Sequence, residues 1–499
     1  MKRAKSTITV PFITLVPGSS SAPLHRQLYE GLRRAILSGQ LGTEARLPST
    51  RALAAQMGIA RMTVVNAYEQ LHAEGYIEGK VGSGTYVART LPEELLRVKD
   101  EKADRRAAPF VRDGRTISQR GKWLVSTVDP TSGVQTETRP RAFQLGLPAV
   151  DEFPFPLWSK LTARRLQHPP RELFVYGDSA GYRPLREAVA AYLKAARAVQ
   201  CDADQVIIVA GSQQALNLTA RVLLDPQDVA WVEDPGYPRA RSVLLSAGAR
   251  VVSLPVDREG IDLSAGIHQR KQARLVYVTP SHQFPLGVTM SLARRLALLE
   301  WAQRFSGWVI EDDYNSEYRY AGRPLASLQG LDQNGRVIYL GTFSKTIFPA
   351  LRLGCVVVPP DLVDAFIAAR ALADWHSPLI DQAVLTDFIV EGHFARHVRR
   401  MRALYKERQE ILVNAAQRDL AGLLDVDASE AGMHLVGWLL KQVCDQVASQ
   451  RVADNGVDAP PLSTFSSRSI VSGGLVLGYA ATNERQIRDG VRRLAMVLG

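Results

Sequence analysis

Over the first ninety positions the apolar residues recur at helical spacing and then at strand spacing. Beyond position 140 the two spacings alternate repeatedly. Behind Pro23, the residues Leu24, Leu28, Leu32 and Ile36 fall on one face of a helix that runs to Ser38, where Gly39 stops it. Ser49 is placed to cap a short helix that turns Leu53 and Met57 inward, and Gly58 breaks it. A further helix starts near Arg61 with Val64, Tyr68 and Leu71 on its inner face, and Gly75 takes the left-handed position at its end. Tyr76–Glu78 and Thr85–Val87 alternate like strands around a glycine-rich tip, Gly79–Gly84. Helix, helix, turn, helix and hairpin make a winged helix-turn-helix, whose last helix enters the major groove by its N-terminal residues. Here those residues are Arg61, Met62 and Thr63; Arg51 on the preceding helix faces phosphate, and Lys80 and Gly82 stand at the wing tip.

Residues 90 to about 140 lose this periodicity. They mix ten basic with eight acidic residues and read as a linker, helical near Glu93–Asp104, with Trp123 and Leu124 able to dock locally. The boundaries that follow are a tail over 1–20, the winged helix over 21–89, the linker over 90–140 and a large domain over 141–499.

In the large domain, buried-strand runs end in turns and helical stretches lie between them. The runs include QVIIVAGSQQAL, DVAWVEDPGYP, ARLVYVTPSHQFPLG, WVIEDDY and RVIYLGTFSK. The expected fold is α/β, a mostly parallel sheet wrapped by helices, with ligands gathered at the strand carboxyl ends. Those turns carry a consistent chemistry. Gly211, Ser212 and Gln213 open a helix whose amide groups and serine hydroxyl suit a phosphate. Tyr237 offers a flat ring face. Asp312 offers a carboxylate for a pyridine nitrogen, and Tyr314 a hydroxyl for a phenolic oxygen. Lys345 offers an amine for an aldehyde, with Thr342, Ser344 and Arg352 around it as further phosphate donors. Together they suit pyridoxal 5'-phosphate.

Charge sharpens the division of labour. The chain of 499 residues carries a formal net charge of +11. Residues 1–90 hold eleven Lys and Arg against five Asp and Glu, a net +6, so the excess is concentrated where DNA is expected. Cys201, Cys355 and Cys444 lie far apart, which points to neither a disulfide framework nor a metal site and suits the cytoplasm. No run reads as a signal peptide or a membrane span.

The N-terminal stretch resembles the GntR-type winged helix through LPSTRALA, RMTVVNAYEQLHAEGY and GSGTYV. The resemblance places Arg51, Arg61, Thr63 and Gly82 on DNA-contact positions. The large domain resembles the fold-type-I aminotransferases through YGDSAGYRPLREAVAAYL, AGSQQAL, DPGYP, TPSHQFPLG, EDDYNSEYRY and GTFSKTIFPALRLG. The combination resembles the MocR/GabR regulators. It implies a cofactor aldimine at Lys345, a homodimer in which Tyr176 reaches the neighbour's phosphate, an effector carboxylate at Arg239, and His282 and Gln283 lining the phenolic-oxygen side. The implied function is a regulator that binds a double-stranded operator and senses an amino compound or pyridoxal phosphate itself. The alternative is a metabolic aminotransferase with an accessory DNA-binding arm. Turnover is open, because working aminotransferases carry a carboxylate-clamping arginine where Val476 stands, with Arg468 as the candidate substitute.

Overall fold

The computed structural model of the protein describes residues 13, 15, 22–80, 84–91, 116–127, 141–268, 272–321, 325–440, 443–468 and 473–499. The chain divides into two compact units, Met1–Arg115 and Thr116–Gly499. The helix expected near Glu93–Asp104 and the wing-tip residue Gly82 lie outside the described residues.

Among the described residues the first unit has three helices, α1 (Leu24–Leu37), α2 (Thr50–Met57) and α3 (Arg61–Ala73), followed by a hairpin of β1 (Ile77–Lys80) and β2 (Gly84–Val87). The Ser49 hydroxyl accepts the Ala52 amide at 3.2 Å and starts α2. Gly58, at φ 65°, ends it. Leu28, Leu32, Ile36, Leu53, Val64, Tyr68 and Leu71 form the core, whereas Met57 is only partly buried against it. Ile13 and Leu15, in the stretch read as a tail, also pack on this core. A side chain at Gly31 would come within 2.8 Å of Ile13, so that docking needs a glycine there. In the hairpin, Ile77 pairs with Val87 and Lys80 with Gly84, so the first strand runs two residues beyond its expected end.

Among the described residues the second unit is built on eleven strands: β3 (Val206–Val209), β4 (Val229–Asp234), β5 (Arg250–Asp257), β6 (Gly260–Ile261), β7 (Leu275–Val278), β8 (Trp308–Asp313), β9 (Val337–Thr342), β10 (Gly354–Val357), β11 (Leu424–Val426), β12 (His434–Leu439) and β13 (Gly474–Gly478). Eight of them form a mixed sheet in the order β3-β10-β9-β8-β7-β4-β5-β6. The central pairs β9–β8, β8–β7, β7–β4 and β4–β5 are parallel. β10 runs antiparallel between β3 and β9. The runs are apolar on both faces because both faces are covered. Helices Ser212–Leu223, Pro238–Ser246 and Val363–Asp374 bury Leu216, Leu244 and Phe366 on one face. Helix Leu292–Arg304 buries Leu298 and Trp301 on the other. The remaining strands form a small antiparallel sheet, β11-β12-β13, that shares a core with helices His393–Asp419 and Glu484–Leu498. One helix, Gln119–Thr127, falls in the stretch read as a linker and packs on Pro238–Ser246. Leu124 on it is exposed.

Candidate functional site

The run Glu311-Asp312-Asp313 ends β8, and strand alternation sends successive side chains to opposite faces. Asp312 shares its face with Ile310, which is level with Tyr277 on β7. The Tyr277 hydroxyl donates to Asp312 Oδ2 at 2.7 Å, while Oδ1 is buried without a partner. Burial raises the Asp312 pKa from 3.8 to about 6, against the opposing pull of Tyr277 and Lys345. Asp313 faces the other way. It accepts from Arg197 Nε, Tyr339 and Ser316 at 2.8, 2.8 and 2.9 Å and serves as the anchor of a buried ion pair.

Lys345 follows β9 in a turn where the Ser344 amide donates to Thr342 Oγ1 at 3.2 Å. The Lys345 amine donates to the carbonyl of Gly146 at 2.6 Å, and the Tyr318 hydroxyl donates to the Lys345 carbonyl at 3.1 Å. Burial lowers the amine's pKa from 10.5 to about 8; Asp312 pulls it up and Arg239 pushes it further down. Tyr314 is half-buried, and its hydroxyl is buried without a partner. The Tyr237 ring meets Phe284 edge-on at 5.6 Å, and burial pushes its pKa up to about 12.

At the other end of this constellation Gly211, at φ 90°, caps helix Ser212–Leu223, so Ser212 and Gln213 stand in its first turn. Gln213 Oε1 is buried and unpartnered. Arg352, itself left-handed at φ 51°, donates to the Ala210 carbonyl at 2.6 Å. Its guanidinium lies 3.3 Å from where a side chain on Gly211 would begin. Gly354 pairs with Thr342 and backs onto Gly211, which brings the Thr342 turn to the same end. Helix amides, a hydroxyl-bearing turn and a guanidinium thus converge as a cradle for a dianion.

Tyr176 projects outward, 87% exposed. Arg468 donates to the Ser253 carbonyl at 2.6 Å and lies 3.8 Å from the Asp234 carboxylate. Gln283 is occupied within its own loop, donating to the carbonyls of Pro235 and Phe284 at 2.8 and 2.6 Å. His282 is buried with both ring nitrogens unpartnered, and burial holds its pKa well below the usual range. Val476 is fully buried in an apolar cluster with Val436 and Leu462. Sequence reasoning misses Tyr277 and the Gly146 carbonyl. Strand alignment and the period of two could have found the first; a backbone carbonyl leaves no sequence signal.

In the first unit, Arg61 is the first residue of α3, exposed, with Nε 3.5 Å from Thr50 Oγ1. Met62 and Arg51 are exposed and Thr63 is half-buried. Lys80 lies over the Tyr86 ring at 5.1 Å.

Residues 24–87 match the family of bacterial regulatory proteins, gntR family, and residues 148–494 match aminotransferase class I and II. The chain is 43% identical to the probable rhizopine catabolism regulatory protein MocR of Rhizobium meliloti, over 95% of this chain and 94% of that one. It is 32% identical to the HTH-type transcriptional regulator TauR of Rhodobacter capsulatus, over 98% and 99%. Among solved structures it resembles LysN, an α-aminoadipate aminotransferase from Thermus thermophilus complexed with N-(5'-phosphopyridoxyl)-L-leucine. That match has a TM-score of 0.67 and 29% identity, and covers 77% of this chain and 95% of that one.

Proposed function

Because the chain belongs to the MocR-type transcriptional regulators, in which a GntR-family module precedes an aminotransferase class I and II domain, we propose that it binds an operator through α3 and the wing and senses a small amino compound at Lys345. Pyridoxal phosphate is the expected cofactor. The observation that carries this reading is a set of buried polar atoms without partners, Asp312 Oδ1, Tyr314 Oη and Gln213 Oε1, at the ends of β8 and β3, with Lys345 on the turn after β9. Buried polar atoms in native proteins are normally satisfied, so such a set calls for a bound polar group. The residues fit: Asp312 for the ring nitrogen, Tyr314 for the phenolic oxygen, Tyr237 against the ring, and Gly211–Gln213, Thr342, Ser344 and Arg352 for the phosphate.

When bound, pyridoxal phosphate supplies an aldehyde that links reversibly to a primary amine. The chain's own residues do the rest. Lys345, with its pKa lowered to about 8, presents a nucleophilic amine near neutral pH. Burial makes Asp312 readier to hold a proton, and a cation bound beside it would favour its ionised form. Arg239 offers an effector carboxylate its guanidinium. Two copies place Tyr176 of each in the other's site, and the dimer spaces two recognition helices for two half-sites. The protein acts in the cytoplasm, and among the described residues no helix is long and apolar enough to cross a membrane.

A metabolic aminotransferase is less well supported. Val476 sits in an apolar cluster and Arg468 is already engaged by Ser253 and Asp234, so neither offers a substrate carboxylate a free cation. Absorbance of the protein loaded with pyridoxal phosphate tests the reading. A visible band that Lys345→Ala abolishes, that amines shift, and whose shift changes operator affinity, is the expected result. A protein that stays colourless with excess cofactor overturns it; sustained keto-acid formation would favour the enzyme.

A further inference from the structure

The segment between helices Val363–Asp374 and Leu379–Val390 makes two connections at once. Trp375 is held at φ 67° and ψ −81°, a region a bulky residue enters only when its surroundings impose it. In that pose its indole N–H donates to the Gly177 carbonyl at 3.1 Å. The next residue, His376, accepts the Gly177 amide at Nε2, at 3.0 Å. Its Nδ1 faces the Ser377 carbonyl at 2.9 Å, so the ring carries its proton on Nδ1 and leaves Nε2 as the acceptor. Two consecutive side chains therefore grip both backbone groups of Gly177. A side chain at Gly177 would come within 2.9 Å of the Leu379 methyls, so Leu379 would have to shift to admit one.

The residue just before that grip is Tyr176, whose exposed ring leans on Trp375 with centroids 5.9 Å apart. The residue just before Trp375 is Asp374, which accepts from Gln214 Nε2 at 2.9 Å. Gln214 in turn accepts the Ala210 amide at 2.8 Å, in the turn that opens the phosphate cradle. Residues 374–376 thus join a protomer's own cradle to the tyrosine it presents outward.

We propose that Trp375 and His376 are positioning residues that hold Tyr176 out for the site of a second copy. This rests on the reading above, in which Tyr176 serves the partner's site. The test uses full-length dimers and measures equilibrium affinity for pyridoxal phosphate. Trp375→Ala homodimers are expected to bind about tenfold more weakly, the loss of one charge-assisted hydrogen bond. Mixed dimers pairing a Lys345→Ala protomer with a Trp375→Ala protomer decide the matter. Their one remaining Lys345 lies on the Trp375→Ala protomer but is served by a tyrosine whose grip is intact. One equivalent bound with unaltered affinity is expected. A mixed dimer as weak as the Trp375→Ala homodimer overturns the proposal, since Trp375 then acts within its own protomer. Tyr176→Phe homodimers that bind like the unmodified protein overturn the shared-site reading beneath it. If Trp375→Ala does not fold, His376→Ala in the same mixed-dimer scheme separates the two outcomes in the same way.

Discussion

The hydroxyl of Tyr277 donates to one oxygen of Asp312 at 2.7 Å, and the other oxygen of that carboxylate meets no donor. Burial makes the folded, cofactor-free protein hold a proton on Asp312 more readily than the unfolded chain, with a pKa of about 6 against 3.8. This group's contribution to stability therefore declines as pH rises from about 4 to about 6, and stays lowered above that. Asp312→Asn should remove the penalty. At neutral pH the cofactor-free variant should gain on the order of 1–3 kcal/mol in denaturant unfolding, while its affinity for pyridoxal phosphate falls. An unstabilised variant with full affinity would refute the assigned role.

Lys345 should set the pH dependence of cofactor attachment. Only the unprotonated amine attacks an aldehyde, and burial has brought its pKa down to about 8. The attachment rate, followed by absorbance, should climb about tenfold per pH unit below that value and level off above it. Arg239→Ala removes a cation that disfavours the charged amine, so the plateau should begin at higher pH.

Asp313 should behave unlike its neighbour. It holds buried Arg197, and removing one partner of a buried pair leaves an uncompensated charge. Asp313→Ala should cost about 3–5 kcal/mol in unfolding experiments, whether or not cofactor is present. A loss confined to cofactor affinity would contradict the division between the two aspartates.

Arg61→Ala should weaken operator binding by about 1–3 kcal/mol and relax sequence preference. The visible band of the loaded protein should not change. Arg51→Ala should weaken binding to all sequences and lower the slope of log affinity against log salt by about one. Fluorescence anisotropy with operator and scrambled duplexes at several salt concentrations separates the two.

Sequence alone shows the local order of both units, because caps and periodicities are short-range. Ser49, Gly58 and Gly75 mark helix ends in α2 and α3, and the apolar runs mark the strands. What it does not show is distance. That Gly354 backs onto Gly211, and that β10 runs antiparallel between β3 and β9, depend on pairings between segments far apart in the chain. Lys345, Asp312 and the Gly211 turn are recognisable because each offers a distinct functional group. Tyr277 is not, since a tyrosine in an apolar run reads as core. Helix Gln119–Thr127 escapes because its stretch is polar and weakly periodic. The Gly177 grip is out of reach: it depends on a tryptophan in a conformation that its identity argues against.

Asp234, just ahead of the Tyr237 turn, receives Ser466 Oγ, the Ser467 amide and Ser467 Oγ from a segment more than two hundred positions later. A chain cut before Ser466 would leave that buried carboxylate without those three donors. A unit trimmed to its eight-stranded sheet is therefore expected to be less stable than the whole. Asp234 and the Ser466–Ser467 segment are expected to order together, only after synthesis has passed Ser467.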